Sequence, residues 1–103
     1  MKSDVRIDED GRLLCGFCTE SPYMHQADVC VAIRDSEDGP ATVVDVRVSG
    51  VQVTRATSEV ADKKFGRRDQ MSIKFWCEEC GQTQYLVLRQ HKGLTYVKWS
   101  SEP

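Results

Sequence analysis

Met71-Ser-Ile-Lys-Phe-Trp-Cys77-Glu-Glu-Cys80-Gly-Gln-Thr-Gln-Tyr-Leu-Val-Leu-Arg-Gln90 is the stretch on which the fold turns. Its opening residues put Met71, Ile73 and Phe75 on one parity, the alternation of a half-buried strand. Over Gln82–Gln90 both parities are apolar, Tyr85 and Val87 on one and Leu86 and Leu88 on the other, so a central strand is expected. Between them lies Cys77-Glu-Glu-Cys80-Gly81. Two residues between the cysteines let a tight turn aim both thiolates at one point. The glycine behind them frees the backbone to turn its amides toward the sulfurs. Lys92-Gly93 then supplies a two-residue turn into Leu94–Trp99. The C-terminal third is therefore expected to be a three-stranded antiparallel meander with a metal knuckle at its first bend.

A second such unit, Cys15-Gly-Phe-Cys18, lies upstream with 58 residues between the two halves. Four thiolates with Zn–S bonds near ~2.3 Å make a closed tetrahedral site, so one Zn2+ per chain is expected on Cys15, Cys18, Cys77 and Cys80. A lone CxxC is weak evidence, whereas two in one small chain are strong. Thioredoxin-like chemistry would use one CxxC opening a helix after a strand, and neither unit sits in that context. Structural disulfides are disfavoured in a chain that reads as intracellular. Iron in a rubredoxin-like site has the same ligand count, so iron stays open as the lesser alternative. Cys30, within Val29-Cys-Val-Ala-Ile33, reads as a small buried hydrophobe. His25 and His91 read as surface or turn residues, with His25 a secondary ligand candidate.

Outward from the knuckles the chain continues to read as strand and turn. Gln26–Arg34 alternates with Val29, Val31 and Ile33 on one face, and Asp35–Pro40 is an acidic turn broken by Gly39-Pro40. Thr42–Arg55 carries Val44, Val46 and Val48 on one parity and Val51 and Val53 on the other. The phase changes at Ser49-Gly50, which marks a hairpin turn or bulge. Thr57–Asp69 is polar and basic and is expected as a mobile loop, with a helical turn at Ser58–Lys64 as the alternative and Gly66 ending it. Residues 1–11 are expected as a flexible lead with a short strand at Val5–Ile7. The fold class is thus mostly β, one antiparallel domain over residues 12–103 in which two CxxC knuckles form one split site.

With 103 residues, 40% of them hydrophobic and 29% charged, the chain has the size and composition of one globular domain. Its net charge of −2 argues against a protein dominated by nonspecific phosphate binding. The distribution is uneven: residues 1–40 hold nine acids and four bases, residues 41–103 seven acids and ten bases. Lys63, Lys64, Arg67, Arg68 and Lys74 form the densest basic group, either a solvated surface or an anion or nucleic-acid contact. Phe75, Trp76, Tyr85, Tyr96 and Trp99 lie in sequence beside Lys74, Arg89, Lys92 and Lys98. They make either a core or a stacking platform for single strands, with Trp76 and Trp99 the rings best placed for exposure. No apolar run approaches a bilayer span, and the acidic opening MKSDVRIDEDGR lacks the core of a signal peptide. A cytoplasmic protein without a membrane partner is expected.

Phe75-Trp-Cys-Glu-Glu-Cys-Gly-Gln-Thr-Gln-Tyr85 resembles the second half of a zinc ribbon, and Leu13-Leu-Cys-Gly-Phe-Cys18 resembles the first. The long β-rich insertion between them departs from compact ribbons. The whole pattern also looks like small zinc-binding proteins of bacteria and of phages or prophages. In those, a CxxC precedes strands with an acidic turn, and a CxxCG precedes a strand ending in Gln-His-Lys-Gly, here residues 90–93. The resemblance implies a zinc-bound β domain and no reaction. No Ser-His-Asp pattern, phosphate-cradling glycine loop or H-E-x-x-H unit is present in the sequence. The expected function is non-enzymatic, a protein-interaction module or self-associating domain. Nucleic-acid binding and rubredoxin-like or thiol redox chemistry stand as alternatives.

Overall fold

Alternating apolar residues from position 24 onward become six antiparallel strands. The computed structural model describes residues 1–18 and 20–103. The strands are β1 (Met24–Arg34), β2 (Ala41–Arg47), β3 (Gly50–Ala56), β4 (Gln70–Cys77), β5 (Thr83–His91) and β6 (Leu94–Ser100), with one helix, α1 (Ser58–Phe65), before β4. They form a single sheet in the order β3-β2-β1-β4-β5-β6. Two meanders, β1–β3 and β4–β6, are thus joined through the pairing of β1 with β4. A register shift between Gln26 and Val29 adds one residue to β1 opposite Phe75–Ile73. That bulge keeps Met24 and Gln26 on the same face as Val29, Val31 and Ile33.

The register sorts the side chains into two unlike faces, because directly paired residues share a face. On one face, Ala32 (1% exposed), Ala41 (0%) and Val43 (6%) meet Ala61 (0%) of α1, with Cys30, Ala56 and Phe65 packed around them. Small side chains on both partners let the helix approach the sheet closely. The chain reaches this position by leaving edge strand β3, crossing over β2 and β1 as α1, and entering β4. Thr57 caps the helix, its side-chain oxygen accepting from the Val60 amide at 3.3 Å, and Gly66 ends it. Glu59 in the first turn and Lys63 and Lys64 in the last suit the helix dipole. The stretch expected as a loop therefore carries two helical turns, because a cap and an apolar face (Ala61, Phe65) outweigh its polar composition.

The opposite face holds two unbroken apolar rungs across all six strands. One runs Val51, Val46, Val29, Ile73, Leu86, Trp99, and the next runs Val53, Val44, Val31, Met71, Leu88, Val97. No helix lies over them. The N-terminal residues cover one end only, over Phe75, Gln84 and Trp99, which are 4%, 0% and 2% exposed. Away from that end, Val46, Val51, Val53, Met71 and Val97 remain exposed.

Residues 1–11, expected as a loose lead, are tied to the body by backbone hydrogen bonds. The Lys2 amide donates to Gly16 at 3.0 Å and the Trp99 amide donates to Ser3 at 2.8 Å. Ile7 bridges Leu13 in antiparallel fashion, with the Asp8–Arg12 turn between them. Among the described residues no helix is long and apolar enough to cross a membrane.

Candidate metal centre

Each half of the site is a turn shaped by its own backbone. In the second knuckle, between β4 and β5, the Gly81 amide donates to the Cys77 carbonyl at 2.8 Å and the Cys77 amide to the Gln82 carbonyl at 3.2 Å. Gly81 has φ +72°, a left-handed conformation that glycine adopts without a Cβ penalty. In the first knuckle the Cys15 amide donates to the Ser21 carbonyl at 2.9 Å. The start of β1 ties the two turns together, since the Tyr23 carbonyl accepts from the Glu78 amide at 2.9 Å.

The four cysteines named by spacing converge. Their sulfurs all lie within 4.8 Å of one another, with Cys15–Cys80 at 3.7 Å and Cys18–Cys77 at 3.8 Å. A tetrahedral ion with metal–sulfur bonds near ~2.3 Å sets its ligand sulfurs about 3.8 Å apart, so a cluster of this spacing could hold a metal ion. Cys15 and Cys77 are buried, while Cys18 and Cys80 face the solvent side. The cluster contains neither histidine. His25 stacks on Trp76 with centroids 4.1 Å apart, and its Nε2 lies 3.8 Å from a Glu78 carboxylate oxygen.

A residue that the sequence reading passed over supports the cluster from behind. Gln84 is 0% exposed. Its Nε2 donates to the Cys15 sulfur at 3.2 Å and its Oε1 accepts from the Gly16 amide at 2.7 Å. The Phe17 amide also donates to the Cys15 sulfur, at 3.3 Å. Gly16 is required by space, because a Cβ there would stand 2.8 Å from the Trp99 ring. The available signal for Gln84 was its parity: it continues the face of Leu86 and Leu88, where a polar side chain needs a partner.

Electrostatics follow from this packing. Burial works against ionisation of Cys15, yet donation from Gln84 and from the Cys18 and Phe17 amides outweighs it and brings the thiol down to about 6. At Cys18 the Ser21 backbone favours the thiolate, but partial burial and the neighbouring Cys15 and Cys77 thiols leave it raised. Burial, assisted by Cys77 and Cys15, pushes Cys80 up to about 12. Sulfurs this close cannot all carry charge unless a cation sits among them. Cys30 lies elsewhere, beneath α1, where burial and then Asp45 push its thiol up to about 11.

The basic group divides in two. Arg67 is paired with Asp38 at 3.0 Å, and Arg68 with Asp38 at 3.2 Å and with Glu37, so both hold the acidic turn after β1. Lys63 lies 3.7 Å from Glu59 along the helix. Lys63, Lys64 and Lys74, with Arg47 and Arg55, line a groove of about 830 Å³ under α1, where Asp28, Asp45 and Glu102 offset part of their charge. The five aromatics also divide. Phe75 and Trp99 pack edge to face at 5.7 Å in the core beneath the first knuckle, whereas Trp76, Tyr85 and Tyr96 belong to the helix-bearing face. Of the two rings expected as exposed, Trp76 is 42% exposed and Trp99 is buried.

Compared with family models, curated proteins and solved structures, the chain matches none. The cysteine cluster in a small β domain therefore rests on its own geometry, as does the likeness to zinc ribbons; the likeness to phage or prophage proteins gains no support from it.

Proposed function

We propose that this chain is a non-enzymatic zinc-binding β domain that works by binding protein. One observation carries the reading: the sheet face opposite α1 presents two full apolar rungs with no cover from the described residues beyond the first knuckle. Contiguous apolar surface of that extent marks an interaction site rather than ordinary solvent-facing sheet. Zinc suits the donor set, since four thiolates at tetrahedral spacing are its usual structural coordination. When bound, it supplies a crosslink between the N-terminal turn and the β4–β5 bend. With all four positions taken by sulfur, none is open for water or substrate, which separates this site from hydrolytic zinc centres. The pairing of Arg67 and Arg68 with Asp38 and Glu37, the acids beside the groove lysines, and the division of the rings favour protein over nucleic acid as partner.

Two measurements test this together. Elemental analysis of the purified protein should find one zinc per chain, with four thiols released by chelation; stoichiometric iron would replace this reading with a rubredoxin-like one. Val46→Glu, placed on the bare face, should keep metal content and far-ultraviolet circular dichroism unchanged. Unfolding of that variant would mean that the face is internal core and not a surface for a partner.

A further inference from the structure

We infer that the bare face is occupied by a second copy of this chain, two sheets packing face to face about a two-fold axis. The inference rests on the proposal that this face binds protein, and it names the partner.

Area is the first argument. Six strands about 4.8 Å apart, spanning the two apolar rungs and the rim row that holds Arg55, Thr42 and Ile33, cover roughly 500 Å² in projection. Side-chain relief raises this to about 700 Å² of accessible surface per chain, so pairing two faces buries about 1,400 Å², within the range of stable specific interfaces.

Chemistry is the second. Neither rung contains a charged or polar residue apart from the buried Trp99 indole, so nothing on the face selects a charged partner. The rim closes on itself. Arg55, at the end of β3, donates to Asp35 at 2.9 and 2.5 Å and to Thr42 at 2.7 Å, and Gln90 donates to Thr95 at 2.5 Å. A second copy could therefore dock without stranding an unpaired charge. Rungs rich in β-branched residues can complement themselves, and two twisted sheets stacked about 10 Å apart share one core. A lone sheet with a helix on one side lacks that second layer. An interface of this kind is isologous, as most homodimers are.

The test is the mass of the metal-loaded full chain by sedimentation equilibrium between about 1 and 100 µM. The wild type should sediment at twice its 11.7 kDa chain mass. Met71→Glu should weaken dimerisation at least about a hundredfold, since it puts like charges into the desolvated centre. Val46→Glu should do the same and keeps the test alive if Met71→Glu fails to fold. Val60→Glu, on the exposed side of α1, should leave the dimer intact. A wild type that stays monomeric to 100 µM overturns the second copy. In that case a hydrophobic dye that lights up on the monomer and not on Met71→Glu preserves the broader reading of an open protein-binding face. A dark monomer overturns that reading as well. A dimer indifferent to Met71→Glu and Val46→Glu would be pairing by its β3 or β6 edge, which also overturns the inference.

Discussion

Gln84 and Gly16 hold the Cys15 sulfur by different means, one by hydrogen bonds and one by leaving room for Trp99. Gln84→Leu removes a donor to sulfur and strands the buried Gly16 amide. It is expected to weaken zinc about 10–100-fold, measured by competition with a chromogenic chelator. Gly16→Ala forces a methyl against the Trp99 ring and should cost about 1–3 kcal/mol in denaturant unfolding of the loaded protein. Cys30 provides an independent pH handle, since no knuckle residue touches it. Its thiol, raised to about 11, lies above the ordinary thiol range, so the native state holds its proton longer than the unfolded chain. That stability is fully present below about pH 8.5 and is lost as pH rises through about 11. Cys30→Val should flatten this alkaline decline in thermal melts, leaving the neutral region unchanged.

At the scale of elements, Arg34 at the end of β1 holds α1 onto the sheet. Its guanidinium donates to Asp62 at 2.6 Å, to the Gly66 carbonyl at 2.5 Å and to the Gly39 carbonyl at 2.6 Å. One side chain thus fastens the helix, its C-terminal stop and the acidic turn to one strand end. Arg34→Leu leaves two carbonyls without that donor and should destabilise by about 2–4 kcal/mol, read by urea unfolding. The strands were legible in the sequence because valine and aromatic alternation announces period two, and the phase change at Ser49-Gly50 announced the β2–β3 hairpin. Helix α1 was only half legible: polar composition hid an apolar side built from Ala61 and Phe65, which matter only against Ala32, Ala41 and Val43. The role of Arg34 was illegible, since an arginine at a strand end reads as solvent-facing until a helix is laid over it. The partners of the basic stretch were illegible for the same reason, its arginines being paired with acids some thirty residues away.

For the whole molecule, an ion held by the four cysteines would join regions that the sheet alone connects weakly. Structural zinc contributes about 10–16 kcal/mol in small cysteine-rich systems, against the roughly 5–15 kcal/mol that stabilises an entire domain. Complete chelation should therefore abolish the cooperative thermal transition followed by circular dichroism; a native-like melt of the apo protein would contradict this. Spacing alone picked out the four cysteines that converge, because CxxC encodes its own turn. Spacing could not reveal that the first knuckle lies on the apolar face and covers one end of it, since that depends on the β1 bulge and the placement of residues 1–16. Drawing one knuckle from each end of the chain also has a consequence during synthesis. Cys18 leaves the ribosome 59 positions ahead of Cys77, its neighbour in the cluster. At about 5–20 residues per second that gap lasts roughly 3–12 s. Throughout it the nascent chain carries two thiols that could grip an ion but not enclose it, so if zinc is the ion, the finished fold would wait on the second pair.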